Sequence, residues 1–481
     1  MDTRTFFEVA RNGRKVDLDE VCGDIEKVRK ANEDYTELRQ RKIIYGDRTG
    51  YGEKVGHIIE PDKDKEKQRN LVLGLNCGSG ELLREDQVRA AMLIRLLVLS
   101  RGHSCVRPAI LSALSEMLNS EGRIPLVPSL GSIGASGDLV PSSYYAIPIM
   151  NEVGLEGREG LALVNGTHFM TGIATLVVED FEYLFGHLLK LFAVLFQCHN
   201  GIEDVSDEDL HLLKEHEEQR DVAAFFRKIL NGSKLLTGLE ALTNASADEL
   251  KALKPIQDRY SLRALAQEMG PIVHRIRDSE AMIKNERNSV SDNPVLINGE
   301  IKQGAHFDGT WTADAVECLK RAIKRAAYNA RAYMRSTTDS KLNHGLLPTY
   351  LVAGDEGLCN GLQGLDGLSF DAAYASLVKD SIPDDIFAMN DHEGGNQDVV
   401  SMGMNSALSA SKMIDKLTTL TAMTMITTRQ AVHLLRVENR LSPETKAYFR
   451  GLARLIDPLD GDRSLHNELR ELERKLFYHE I

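Results

Sequence analysis

The chain has 481 residues, enough for a large core and for two lobes. Its net charge of -13, with acidic and basic residues interspersed, argues against a nucleic-acid surface and is read as solubility. Six cysteines (Cys22, Cys77, Cys105, Cys198, Cys318 and Cys359) lack CxxC spacing, so neither a metal site nor a disulfide framework is expected, and they read as reduced thiols of a cytoplasmic protein.

The N-terminal residues meet Arg11 and Arg14 before any long apolar run, which lacks the order of a signal peptide, so no secretion is expected. Residues 15 to 45 carry Val16, Leu18, Val21, Ile25 and Val28 in a pattern that predicts a small strand followed by a helix. Tyr45-Gly46-Asp47-Arg48-Thr49-Gly50-Tyr51-Gly52 is a glycine-punctuated loop, and the charged run Pro61 to Lys67 extends it. Helical runs follow over 86 to 119, interrupted at Arg101-Gly102-His103. Ser142 to Met150 and Gly160 to Leu176 read as small-residue helix.

Phe181 to Cys198 is the most apolar segment. Glu182, Gly186, His187 and Lys190 interrupt it, so it is expected to be a buried core helix rather than a membrane span. Leu210 to His216, Asp221 to Leu230, Ala247 to Leu253, Ala315 to Met334 and Lys412 to Leu435 all show i, i+3, i+4 apolar spacing with charged opposite faces. The fold class expected is mainly α. An N-terminal lobe, residues 1–180, precedes a long-helix bundle, residues 181–481.

One stretch stands out chemically: Gly131-Ser132-Ile133-Gly134-Ala135-Ser136-Gly137-Asp138-Leu139. In a sharply bent backbone the Gly137 nitrogen can attack the Ala135 carbonyl carbon and close a five-membered ring, a bend that glycine permits because it has no Cβ. Loss of one water in that closure and of a second from the Ser136 side chain leaves a methylidene-imidazolone, a strong electrophile. Taken alone, the stretch reads as a Gly/Ser turn before a helix, because short Gly/Ser matches are common.

Read together with Arg101 to Pro108 and Leu163-Val164-Asn165-Gly166-Thr167, this stretch resembles the aromatic amino acid ammonia-lyase and aminomutase family. That family includes the histidine, phenylalanine and tyrosine lyases. The resemblance runs in ordered motifs from about Tyr45 to about Gln430. It implies a prosthetic group made from Ala135, Ser136 and Gly137, with no metal or dissociable cofactor. It also implies a homotetramer whose sites draw on loops of three subunits.

The resemblance carries roles to particular residues. Tyr45, in a Tyr-Gly-x-x-Thr-Gly loop, is the candidate base, with Tyr51 where phenylalanine is more usual. Asn165 donates to the electrophile or the substrate, and Gln397 is carried over similarly. In Gln257-Asp258-Arg259-Tyr260-Ser261-Leu262-Arg263, the arginine holds the substrate carboxylate and Tyr260 lies near the prosthetic group. A planar guanidinium suits a carboxylate because it pairs with both oxygens. Asn396 is placed beside that carboxylate, and Asn293 and Phe307 match two further family segments.

Gly74 and Leu75 occupy the pair that faces the substrate ring. Phe-Leu there resembles phenylalanine lyases, His-Leu tyrosine lyases and Ser-His histidine lyases; this chain has Gly-Leu. Two departures from the family are His306, where asparagine is usual, and the acidic run Asp391-His392-Glu393.

The reaction implied is loss of ammonia from a phenylalanine- or tyrosine-like amino acid to give an arylacrylate. The β-proton is weakly acidic, so the site must exclude water and favour the tyrosine base. An aromatic 2,3-aminomutase would use the same groups, and a histidine ammonia-lyase is a further alternative. A silent helical scaffold is the non-enzyme alternative, and it leaves the joint presence of Tyr45, Asn165, Tyr260, Arg263 and Gln397 without a reason.

Overall fold

The computed structural model describes residues 1–246, 256–384 and 396–481. The helix expected over Ala247 to Leu253 and the acidic run Asp391-His392-Glu393 lie outside the described residues. The chain is mostly helical, 63% helix against 5% strand, and its fold is that of the mainly α class expected.

It divides into two compact units that are not contiguous in sequence. The first comprises Met1–Glu179, Asp278–Cys318 and Pro383–Ser411; the second comprises Asp180–Arg277, Leu319–Ile382 and Lys412–Ile481. The division expected at residue 180 thus coincides with the first break only. Two later segments return to the first unit, and helical periodicity, which is local, carries no signal of such a return.

In the first unit no strand forms near residue 16. Helices Leu18–Cys22 and Ile25–Arg41 begin instead where Asp17 and Asp24 accept backbone N–H groups as N-caps. The run Pro61 to Lys67 is not loop throughout. A 3-10 turn, Pro61–Lys63, leads into helix Asp64–Leu75, whose first turn carries Asp64 and Glu66 at the end that favours negative charge. That helix packs on Leu139–Val153 and Glu159–Val164.

Helix Glu85–Leu99 is buried along nearly its whole length, Arg95 included. Two small antiparallel pairs complete the unit: Ser79–Leu82 with Pro128–Leu130, and Val295–Ile297 with Glu300–Lys302. The second is a hairpin turning at Asn298-Gly299, both at positive φ (50° and 75°), a turn signal present in the sequence but not used above.

Helix His168–Cys198 has 31 residues and a mean hydropathy of 1.3 over its most apolar window, and 72% of that window is buried inside the protein, as expected of a core helix. In the second unit, Phe192 stacks on Tyr333 with ring centroids 4.3 Å apart, and Tyr183 stacks on His479 at 3.9 Å. Helix Gly403–Leu435 buries Met413, Leu417 and Leu420 as one stripe. Its second half departs from the expected charged opposite face: residues 420 to 428 are buried all round. Three of the four threonines there are satisfied within the helix, since Thr421, Thr424 and Thr428 donate to carbonyls four residues earlier at 2.7–2.8 Å, whereas the buried Thr427 hydroxyl has no partner among the described residues.

Candidate active site

The Ala135-Ser136-Gly137 segment is a tight turn. The Gly137 N–H donates to the Gly134 carbonyl at 3.2 Å, leaving Ala135 and Ser136 at the centre. Ser136 sits at φ 58° and Gly137 at φ 80°. Gly137 also runs alongside Gly166, where a Cβ on Gly137 would lie 2.2 Å from the Gly166 oxygen. Only glycine fits there. A bent backbone with a glycine nitrogen folded back toward the preceding peptides is what closure of an imidazolone ring needs, so these residues fit the group.

Asp138 anchors the turn from behind. It is fully buried, accepts the Met170 N–H at 2.9 Å and the Ser132 hydroxyl at 2.8 Å, and is pushed up to about 6 by burial. Nearby, His168 Nε2 meets the Ser142 and Tyr145 hydroxyls at 2.6 and 2.8 Å, and burial holds the imidazole well below its usual range.

Two amides converge on Ser136. Asn165 Nδ2 donates to the Ser136 carbonyl oxygen at 3.0 Å, and Gln397 Nε2 donates to the Ser136 hydroxyl at 3.4 Å. In the closed ring the Ser136 carbonyl would be the ring carbonyl, so Asn165 is placed to withdraw electron density from it. Gln397 touches the hydroxyl that must leave as the second water. Asn165 is itself held by the Asn293 N–H, donated to its Oδ1 at 3.0 Å.

Behind Asn293 lies a buried charge cluster that sequence reading missed. Asp292 accepts from Arg95 at 3.1 Å and from Arg158 at 3.3 Å, and all three are buried. An arginine inside the apolar run Met92 to Leu97 was the available signal.

Ser136 opens on a cavity of about 1130 Å³. Tyr45, Leu75, Asn165, Asn293, Phe307, Asn396 and Gln397 all line it, so the structure brings most of the expected site residues together. The Tyr45 hydroxyl accepts the Gly52 N–H at 3.4 Å, and its ring meets Tyr51 edge-on, with centroids 6.3 Å apart. Arg39 holds the Tyr45 turn from below by gripping both oxygens of the buried Asp47 at 2.7 and 2.8 Å.

Besides Ala135 and Gly137, which flank Ser136 in the turn, three expected residues do not line this cavity. Gly74 is exposed, and a Cβ added to it would meet nothing within 4 Å. Tyr260 and Arg263 belong to the second unit, where the Arg263 guanidinium lies 4.9 Å from the Tyr260 ring centre and Arg263 lines a separate cavity with Asp258 and Gln267. Of the two departures, His306 is exposed and does not line the cavity. Lys67, Asn70 and Leu71 do line it and were not singled out from the sequence.

The family model for aromatic amino acid lyases matches residues 1–154 and 149–454. The chain belongs to the aromatic amino acid lyase family. Among its curated relatives, a tyrosine 2,3-aminomutase of Streptomyces globisporus, described as dependent on methylidene-imidazolone (MIO), is 32% identical over 94% of this chain and 89% of its own length. A histidine ammonia-lyase of Legionella pneumophila is 28% identical over 91% and 88%. The crystal structure of the Streptomyces tyrosine aminomutase superposes with a TM-score of 0.90 at 31% identity, covering all of this chain and 96% of that one. Membership of this lyase family implies a self-derived methylidene-imidazolone, and its members include both lyases and aminomutases.

Proposed function

We propose that this member of the family is an ammonia-lyase acting on a phenylalanine- or tyrosine-like amino acid, with its electrophile formed from Ala135, Ser136 and Gly137. The observation that carries the reading is the convergence of Asn165 and Gln397 on the two oxygens of Ser136, at the wall of a cavity that Tyr45 also lines.

The group, once formed, supplies an electrophilic methylene that makes the substrate amine a better leaving group. The chain's own residues do the rest. Tyr45 takes the β-proton, with the Gly52 N–H favouring the phenolate. Leu75 and Phe307 wall the ring, while Asn396 and Arg263 hold the carboxylate, with Tyr260 beside them. Asn165 stabilises charge on the ring carbonyl. The C–H electron pair becomes the C=C bond as the C–N bond breaks, giving an arylacrylate and ammonia. We further propose a homotetramer in which Tyr260 and Arg263 complete the site; light scattering showing an active monomer would refute it.

The test pairs intact mass with product analysis. The purified chain should be lighter than its translated sequence by two waters, and Ser136→Ala should restore full mass and abolish turnover. A full-mass wild type that still releases ammonia would overturn the proposal. A second reading, an aromatic 2,3-aminomutase, is favoured by the tyrosine 2,3-aminomutases of Streptomyces globisporus and Chondromyces crocatus, each 32% identical to this chain. A product mixture dominated by β-amino acid rather than arylacrylate would select it.

A further inference from the structure

Helix Asp64–Leu75 presents Lys67, Leu71 and Leu75 to the cavity at i, i+4 and i+8. Two are apolar and one is a lysine. Lys67 is half-buried; its Nζ donates to the Gly46 carbonyl at 2.9 Å and the Asp47 carbonyl at 3.4 Å, and lies 3.9 Å from the centre of the Tyr51 ring. Tyr51 is the ring set edge-on to Tyr45, and its hydroxyl donates to the same Gly46 carbonyl at 3.2 Å. The ammonium therefore grips the backbone immediately after Tyr45.

No carboxylate neutralises it among the described residues. Asp47 is the nearest acid in the turn, but Arg39 takes both of its oxygens and also reaches Asp64 at 2.7 Å. The other charged side chains of the cavity wall, Lys54, Glu60, Lys63 and Glu66, are exposed, and Glu66 pairs with Lys63 at 3.5 Å. Burial brings Lys67 down to about 8, opposed by the charge of Asp47. Leu75, at the ring end of the site, is eight residues further along the helix, or about 12 Å. The charge thus sits at the Tyr45 end.

We propose that Lys67 is a positioning residue for Tyr45: it fixes the Tyr45-Gly46-Asp47 turn through two carbonyls, and its charge stabilises the Tyr45 phenolate that accepts the substrate β-proton. The inference rests on Tyr45 being the base. A half-buried cation without a carboxylate partner favours an anion beside it more strongly than the same cation fully in water.

The test uses the full chain labelled with 13C-tyrosine, with the Tyr45 resonance assigned by its loss in Tyr45→Phe. In Lys67→Arg, whose cation stays charged throughout the titration, the Tyr45 midpoint should lie about one unit or more below that in Lys67→Met, and in Lys67→Met kcat should fall roughly tenfold or more with KM little changed. Wild-type kcat should decline as pH passes about 8, where Lys67 loses its charge, and Lys67→Arg should restore kcat and move that decline to higher pH. If Lys67→Met does not fold, as judged by circular dichroism, Lys67→Gln and Lys67→Arg carry the same comparison. A Tyr45 midpoint that is the same in Lys67→Arg and Lys67→Met overturns the proposal, as does an effect confined to KM for ring-substituted substrates. The titration needs no turnover, so a chain that releases no ammonia would refute the lyase reading and leave this one to be judged by the midpoint alone.

Discussion

Asn165 reaches the carbonyl oxygen of Ser136 with its Nδ2 at 3.0 Å, and it has no freedom to present its oxygen instead, because Oδ1 already accepts the Asn293 N–H. The donor is therefore preorganised. A lost donor to a developing negative charge costs about a hundredfold to a thousandfold in kcat, and that is the loss expected for Asn165→Asp, which keeps the shape and removes the N–H. Steady-state kinetics on chains whose intact mass still shows the two-water deficit would measure it. Near-normal turnover by Asn165→Asp would show that the contact is structural only.

Gly137→Ala tests the turn itself. The added methyl would stand 2.2 Å from a backbone oxygen, and alanine would have to hold φ 80°. Neither can be relieved by a side-chain rotation. The variant should lose about 2 kcal/mol or more of stability and carry its full translated mass. An unchanged melting temperature together with the mass deficit would refute this account of the glycine.

Asp292 compensates two buried arginines at once. Its removal in Asp292→Ala leaves the buried Arg95 and Arg158 with backbone carbonyls but without their shared carboxylate, at a cost of about 3 to 5 kcal/mol. Urea denaturation should show that loss. A change below about 1 kcal/mol would place the strength of the cluster elsewhere.

Asp138 gives a pH dependence with a definite sign. Burial raises its carboxyl from 3.8 to about 6, so the folded state binds more protons than the unfolded state between those values. Stability from this group is therefore greatest at low pH, falls as pH rises from about 4 to about 6, and is level above that; the drop is on the order of 3 kcal/mol. Asp138→Asn can keep both neighbours, accepting from Met170 and donating to Ser132. The difference between wild type and Asp138→Asn in denaturation midpoint should follow that curve, and a difference that does not vary with pH would contradict it.

Substrate preference should turn on Gly74 and Arg263. Gly74 itself does not line the cavity, and it is the family resemblance that turns position 74 toward the substrate ring; on that expectation Gly74→His should gain tyrosine relative to phenylalanine and Gly74→Phe the reverse, with little cost to folding because a Cβ there meets nothing within 4 Å. Leu75 leaves an imidazole unpaired at about 1 to 3 kcal/mol, so histidine should be a poor substrate. Arg263→Met should lower kcat/KM by roughly a hundredfold or more if the guanidinium holds the carboxylate. A panel of phenylalanine, tyrosine, dihydroxyphenylalanine, tryptophan and histidine on wild type and the three variants checks all of these. Efficient histidine turnover, or unchanged preference in both position-74 variants, would overturn the reading.

The sequence by itself determined the helical class, because a 3.6-residue period is written locally in runs such as Lys412 to Leu435. It also singled out Ala135-Ser136-Gly137 by the chemistry of ring closure, and Tyr45, Asn165 and Gln397 through the resemblance of its ordered motifs to those of the family. Tertiary structure decided the rest. That Gly137 must be glycine is set by the Gly166 oxygen, and that Asn165 points one way is set by Asn293, 128 residues further on. Arg95 and Asp292 pair across 197 residues. Lys67 read as one charge in a solvated run until the fold put it on the same wall as Tyr45, with Arg39 already holding the carboxylate that would have neutralised it. Periodicity reports which face a residue is on. Which distant group meets that face, and whether a charge there finds a partner, depends on packing between segments that no local pattern encodes.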